Sequence, residues 1–379
     1  MAEPHTQTAA VLPSTGATVN TRLEIKNDRP IPSPAQGELL VKLEFSGVCH
    51  SDVHSVRGET PMLTDVAGHE GVGKVVKVGD GVDEGAWMGK RVGIRWLYSS
   101  CLECEICERN NTACPYQKNA GANVPGTFQQ YIVSPAVHVT RIPEQLAPDE
   151  AAPLLCAGIA MYSSIMKTRT RPGDWLVLPG AGGGLGHMYV FDHHIGSAKH
   201  EMTWYGIALT HTLAFRGVQI AVKKGLKVIA IDSGEKKKQL CLKLGATAFF
   251  DYKTDNVQDA VTQLTSGLGA HAVICTANSE ASYEQSMRLL RRLGVLVCVG
   301  IPNVPFRLPA TPFDMIVKGL TIVGNSAGTA QEMSELMKMA VAGEVKAHIE
   351  CFAFDQLDDV IQRLGRSEID GRAVIFIPE

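Results

Sequence analysis

The chain has 379 residues, of which 45% are hydrophobic and 20% charged, with a formal net charge of -3. That length is about twice a common single domain, so two domains with well-buried cores are expected. The near-neutral balance excludes a basic field for nucleic acid and an acidic tail, which leaves small neutral molecules as the natural partners. No apolar run approaches the roughly 20 residues that span a bilayer, so no membrane association is expected. Residues 1–30 carry neither an apolar signal core nor an Arg-rich amphipathic stretch, and the cytosol is the expected location. Ten cysteines in such a chain point to reduced thiols, with metal binding the better account of any tight cluster.

Residues 37–97 read as short Val-rich strands with Gly-rich turns, among them 38–43 and 73–78, and predict a compact β region. Within it, Cys49-His50-Ser51-Asp52-Val53-His54 sets a thiol beside a hydroxyl and two imidazoles. Gly68-His69-Glu70-Gly71 sets an imidazole beside a carboxylate. A lone Cys is more often a small buried hydrophobe and a lone His a satisfied core residue. Taken with Cys156, however, the set of Cys49 and His69 supplies two thiolates and one imidazole with one coordination position left open. That composition suits a catalytic Zn2+, which polarises an oxygen ligand, and Glu70 is placed to orient or transiently replace a ligand.

Next along the chain, Cys101, Cys104, Cys107 and Cys114 form a C-x2-C-x2-C-x6-C pattern in a polar loop. Four thiolates so spaced close a tetrahedron around Zn2+ with no position for substrate, as a structural site requires. The alternatives are a redox pair or an iron-sulfur cluster, the latter usually with a different spacing.

From Asp174 the texture changes. Apolar strands at 175–178, 227–231, 272–275 and 294–299 alternate with helices that include 235–244 and 280–292, which predicts a doubly wound parallel sheet binding its ligand at the strands' carboxyl ends. Helices at 331–342 and 355–364 then precede a closing strand at 373–377. The first strand runs into Gly180-Ala181-Gly182-Gly183-Gly184-Leu185-Gly186, a turn that lets backbone N–H groups approach a pyrophosphate. A strict G-x-G-x-x-G ending at Gly186 would begin at Ala181, so the fingerprint fails by one residue. Asp232, after the second strand, is placed to bind both adenosine ribose hydroxyls and to repel a 2′-phosphate, which favours NAD over NADP.

Gly186 and Asp232 are 46 positions apart, where the motif expects about 20. Removing residues 189–216 deletes 28 residues and restores a spacing of 18, joining Gly186-His187-Met188 to Gly217-Val218-Gln219 in one helical run. This segment holds four of the twelve histidines, His193, His194, His200 and His211, and has no helical period matching its surroundings. Codons for Met188-Tyr189 and Phe215-Arg216 are compatible with a splice donor and acceptor, and excision would keep the frame, so a retained intron is one account. An evolved surface insertion, such as a His-rich metal loop, is the other; unstructured loops of that length are uncommon in compact domains.

The runs around Cys49, His69 and the four cysteines, together with Gly126-Thr127-Phe128-Gln129-Gln130-Tyr131 and Pro153-Leu154-Leu155-Cys156-Ala157-Gly158, closely resemble the fungal and yeast-type zinc-dependent medium-chain alcohol dehydrogenases. The resemblance covers nearly the whole chain and includes the same variant of the glycine fingerprint. It implies a GroES-like β-rich catalytic domain, residues 1–157 and 303–379, and a Rossmann NAD-binding domain, residues 158–302. It further implies two Zn2+ per chain, catalytic on Cys49, His69 and Cys156 and structural on Cys101, Cys104, Cys107 and Cys114. Ser51 would take the alcohol proton and His54 would pass it to solvent through the cofactor ribose. His50 and Arg372 would contact the pyrophosphate, Lys237 would be a second ribose contact, and Asp52 would brace His69. A homo-oligomer, a tetramer in the family, is also implied. Val56 stands where the family has a pocket tryptophan, which implies a roomier pocket, while Trp96 keeps a second aromatic wall.

The expected function is therefore reversible oxidation of a small primary alcohol to its aldehyde with hydride transfer to NAD. A polyol or secondary-alcohol dehydrogenase of the same family is the enzymatic alternative. A catalytically inactive zinc-binding variant is the other, because the anomalous segment interrupts the helix expected to receive the pyrophosphate.

Overall fold

The computed structural model describes residues 5–13, 18, 20–181, 214–277, 279–301, 306–366, 368–369 and 371–379, the side chains of 214–216 excepted. The predicted phosphate-loop residues Gly182, Gly183, Gly184, Leu185 and Gly186, and the anomalous segment up to residue 213, lie outside them.

Two sheets organise the chain. The first has seven strands, in the order Ile349–Phe352, Arg372–Phe376, Glu38–Gly47, Gly71–Val78, Arg91–Ile94 and Thr140–Arg141, with Tyr131–Pro135 also paired to Glu38–Gly47. The closing strand pairs antiparallel to Glu38–Gly47, with Val374 opposite Gly47, so the tail does return to the first half. The second sheet is parallel and six-stranded, in the order Ala248–Asp251, Lys227–Asp232, Trp175–Pro179, Ala270–Cys275, Leu290–Cys298 and Thr321–Gly324. Chain order thus reverses at Trp175–Pro179, which opens a crevice at the carboxyl ends of the strands.

Both faces of the parallel sheet are covered, as continuous apolar strands require. Leu176, Leu178, Val228, Ala230 and Ile274 pack on one side, and Val177, Ile229, Ile231, Val273 and Leu296 on the other. Leu154, Leu155, Val72 and Val374 from the first half join the first of these cores, so the two halves share packed apolar surface. The rest of the first half has its own core around Leu39, Val41, Phe128 and Ile375.

Two expectations are corrected. The strand Thr321–Gly324 pairs with Leu290–Cys298, with Leu296 opposite Ile322, so this part of the range 303–379 joins the parallel sheet and not the first. A four-residue apolar run after a mixed stretch gives no periodicity that assigns it to either sheet. The helix expected over 280–292 ends at Leu289, because Leu290 is drawn in beside Ala270 and begins the next strand. Leu293 then adopts φ 62, and the register with Ala270–Cys275 shifts before Val295.

Candidate active site

The turn after Glu38–Gly47 delivers Cys49 as the extended N-cap residue of the helix His50–Val56. Asp52, in the first turn, ties this turn to the next strand. Its Oδ2 accepts the backbone N–H of Cys49 at 2.8 Å, and its Oδ1 accepts that of Gly68 at 3.1 Å and His69 Nδ1 at 2.9 Å. Since a carboxylate only accepts, His69 carries its proton on Nδ1 and keeps Nε2 as the free donor atom for a metal. The His69 ring is 1% exposed and meets Trp96 edge-on, with centroids 5.2 Å apart.

Cys156 arrives from the other side. It follows the turn Ala152–Leu155 and precedes the buried helix Ala157–Lys167. Its Sγ is 4.0 Å from that of Cys49, and one ligand atom from each of Cys49, His69, Glu70 and Cys156 lies within 4.8 Å of the others. A tetrahedron with metal–sulfur bonds of about 2.3 Å has edges of about 3.8 Å, so this separation suits two thiolates on one zinc. The hydrogen bond from the Cys156 thiol, and then His69, hold the Cys49 thiol well below its ordinary pKa against the opposing effect of burial. Burial opposes charge on His69 too, but the neighbouring Asp52 carboxylate and Cys49 raise its pKa overall.

Glu70 is fully buried and pairs with Arg372, itself 3% exposed at the start of the closing strand. Burial raises the Glu70 pKa, and Arg372 partly offsets this. Glu70 Oε2 has no hydrogen-bond partner among the described residues, and one oxygen of the same carboxylate lies within 4.8 Å of the other ligand atoms. Arg372, expected at the pyrophosphate, thus also neutralises Glu70, a contact that the sequence reading did not include.

Ser51 Oγ lies 3.7 Å from Cys49 Sγ, and His54 follows one helical turn later. His50 is buried in the first helical position. Val56 is fully buried in the core of the first half.

The four-cysteine loop also closes on itself. One atom from each of Cys101, Cys104, Cys107 and Cys114 lies within 4.8 Å of the others, with Sγ separations of 3.8 Å for Cys101–Cys107 and 3.6 Å for Cys101–Cys114. These are tetrahedral edges and far exceed the disulfide length of about 2.05 Å. The backbone N–H of Glu103 is the main cause that brings the Cys101 thiol down to about 7, whereas desolvation pushes Cys107 up to about 12.

At the crevice, Gly180 takes φ +83 and its N–H donates to the Ile231 carbonyl at 2.8 Å, which turns the chain at the end of the first parallel strand. Asp232 ends the adjacent strand, 2% exposed. Lys237, expected at the ribose, forms an ion pair with Asp232 Oδ1 at 2.7 Å.

Comparison with known proteins agrees with this geometry. Residues 35–144 match the model of an alcohol dehydrogenase GroES-like domain, and residues 215–342 that of a zinc-binding dehydrogenase. An alcohol dehydrogenase of Moraxella sp. is 37% identical, the match covering 91% of this chain and 93% of that one. Alcohol dehydrogenase 2 of Emericella nidulans is also 37% identical, over 98% of each chain. The acetophenone reductase of Geotrichum candidum, solved in complex with NAD, shares the fold with a TM-score of 0.80 at 24% identity, over 99% of this chain and 98% of that one. Given the match along almost its whole length to such relatives, the chain belongs to the zinc-binding alcohol dehydrogenase family.

Proposed function

We propose that the chain catalyses the reversible oxidation of a small primary alcohol to its aldehyde, with hydride passing to NAD. The observation that carries this reading is the cluster of Cys49, His69, Glu70 and Cys156 with the Ser51 hydroxyl beside it. Zinc bound there supplies a Lewis acid that lowers the pKa of an alcohol oxygen. Cys49, His69 and Cys156 would hold it, and Cys101, Cys104, Cys107 and Cys114 would hold a second zinc that serves the fold. Ser51 takes the alcohol proton as a general base relay, and His54 carries it outward. Asp232 and Lys237 bind the adenosine ribose. His50, Arg372 and the glycine run Gly180, Gly182, Gly183, Gly184, Leu185 and Gly186 receive the pyrophosphate, with Arg372 shared between that group and Glu70. Asp232 is the feature that favours NAD, because its buried carboxylate would repel a 2′-phosphate. The molecule acts as a homo-oligomer in the cytosol, and no described helix is long and apolar enough to cross a membrane.

The test is spectrophotometric. Purified chain with two zinc ions bound should form NADH from short primary alcohols, and chelation should abolish this. Ser51→Ala should lower turnover by about 10^2- to 10^4-fold, the usual range for general acid–base help, with little change in NADH affinity. Full turnover in Ser51→Ala would remove that hydroxyl from the mechanism. A zinc-loaded chain that reduces NAD with none of these alcohols would overturn the reading.

A further inference from the structure

The ring of His54 is gripped by Glu59, a residue to which no motif assigns a role. The helix His50–Val56 stops at Arg57, and Gly58 takes φ +72, a left-handed turn open to glycine. The next residues fold back over the last helical turn. The N–H groups of Glu59 and Thr60 both donate to the His54 carbonyl, at 2.9 and 3.4 Å, and Ser55 Oγ meets Thr60 Oγ1 at 3.1 Å. This bracket sets Glu59 Oε2 against His54 Nδ1. The His54 side chain is 8% exposed and that of Glu59 24%, so the pair runs from the interior to the surface. The other ring nitrogen, Nε2, is buried with no hydrogen-bond partner among the described residues. Ser51 lies three residues earlier, on the same side of the helix.

A carboxylate accepts and does not donate, so the proton of the neutral ring sits on Nδ1 and Nε2 keeps its lone pair. We propose that Glu59 is the positioning residue of proton export: it holds His54 in the Nδ1–H tautomer, turns a basic Nε2 toward the buried side, and stabilises the imidazolium that forms when Nε2 takes up a proton. This role rests on the alcohol dehydrogenase reading of Ser51 and His54. The step moves one proton and no electrons. Nε2 gains a proton from the relay and gives up that same proton to water, while Nδ1 keeps its proton toward Glu59 throughout, so His54 ends as it began with no other bond changed. Glu59 acts through His54 and touches no reacting atom.

The ring tautomer is directly readable by nitrogen NMR of the full zinc-loaded chain labelled with 15N-histidine, with His54→Gln used to assign the signal. The wild type should show His54 protonated at Nδ1, and Glu59→Ala should lose that preference. Glu59→Gln, a neutral acceptor, should retain the tautomer but not the charge. Turnover should fall about 10- to 100-fold in Glu59→Ala, the usual effect of removing a partner that orients a functional side chain, with unchanged KM for the alcohol. Glu59→Asp should recover most of it, and Glu59→Gln should fall between. A His54 ring protonated at Nε2 in the wild type, or a Glu59→Ala chain that keeps the Nδ1–H tautomer and full turnover, overturns the assignment of Glu59 alone. A wild-type chain with the expected tautomer that oxidises no alcohol overturns the relay role together with the dehydrogenase reading.

Discussion

His138 shows how a single side chain outside the ligand cluster conditions the metal-binding loop. It lies on a turn after Tyr131–Pro135, 5% exposed, and its Nε2 receives the backbone N–H of Ser100 at 3.0 Å, immediately before Cys101. That bond needs an unprotonated Nε2. Burial, and then the Arg95 charge, hold the His138 pKa below its ordinary value. A depressed folded-state pKa contributes stability that is fully present above the unfolded histidine value of about 6.5 and is lost as pH falls below it. Thermal midpoints should therefore decline from about pH 6.5 downward more steeply in the wild type than in His138→Gln, which cannot titrate. Equal slopes in the two proteins would show that the Ser100 contact is insensitive to protonation.

At the scale of elements, the helix Ala214–Lys223 lies on the strands Trp175–Pro179 and Lys227–Asp232 of the parallel sheet. It packs against Ala157–Lys167, where a side chain at Gly217 would meet the terminal methyl of Met161. In an uninterrupted relative, the same helix would extend back toward the glycine turn, and its N–H groups and dipole would meet the pyrophosphate. A separated turn of helix is marginal by itself because nucleation is costly, whereas closing a long loop adds entropy only slowly. Deleting residues 189–216 should therefore raise NADH affinity more than it raises the thermal midpoint, though both should rise. Fluorescence titration and thermal unfolding of both forms check this, and equal affinity with equal stability would mark the segment as a tolerated insertion.

Much of this architecture is legible in the sequence, for reasons that also explain what is not. Thiols and imidazoles are few and their spacing reflects metal geometry, so the sequence brings Cys49, His69, Cys156 and the four-cysteine loop forward, and the structure gathers the same side chains. Strands apolar on both faces, such as Trp175–Pro179, stand out for the same kind of reason. Glu59 does not, because an acidic residue in a loop is ordinary until the turn at Gly58 carries it back to His54. Nor does the Glu70–Arg372 pair, whose members are 302 positions apart and meet only through sheet pairing.

For the whole molecule, the parallel sheet ends at Thr321–Gly324, whose outer edge has no strand partner among the described residues. The preceding helix, Pro312–Lys318, exposes Phe313 at 72% and Ile316 at 81%. An open strand edge beside an apolar helix face invites pairing with another chain. A second copy covering it accords with the proposed homo-oligomer. Sedimentation velocity should find the wild type as a multiple of the chain mass and Ile316→Asp shifted toward the single chain. A monomeric wild type would contradict the proposal.

The ligand cluster draws on both halves. Cys49 and His69 hang from the antiparallel sheet, whereas Cys156 opens the helix Ala157–Lys167, which packs into the core of the parallel sheet. An ion held by all three would be a pin through two plates, tying the packing of one sheet to that of the other, so that its loss should loosen both at once.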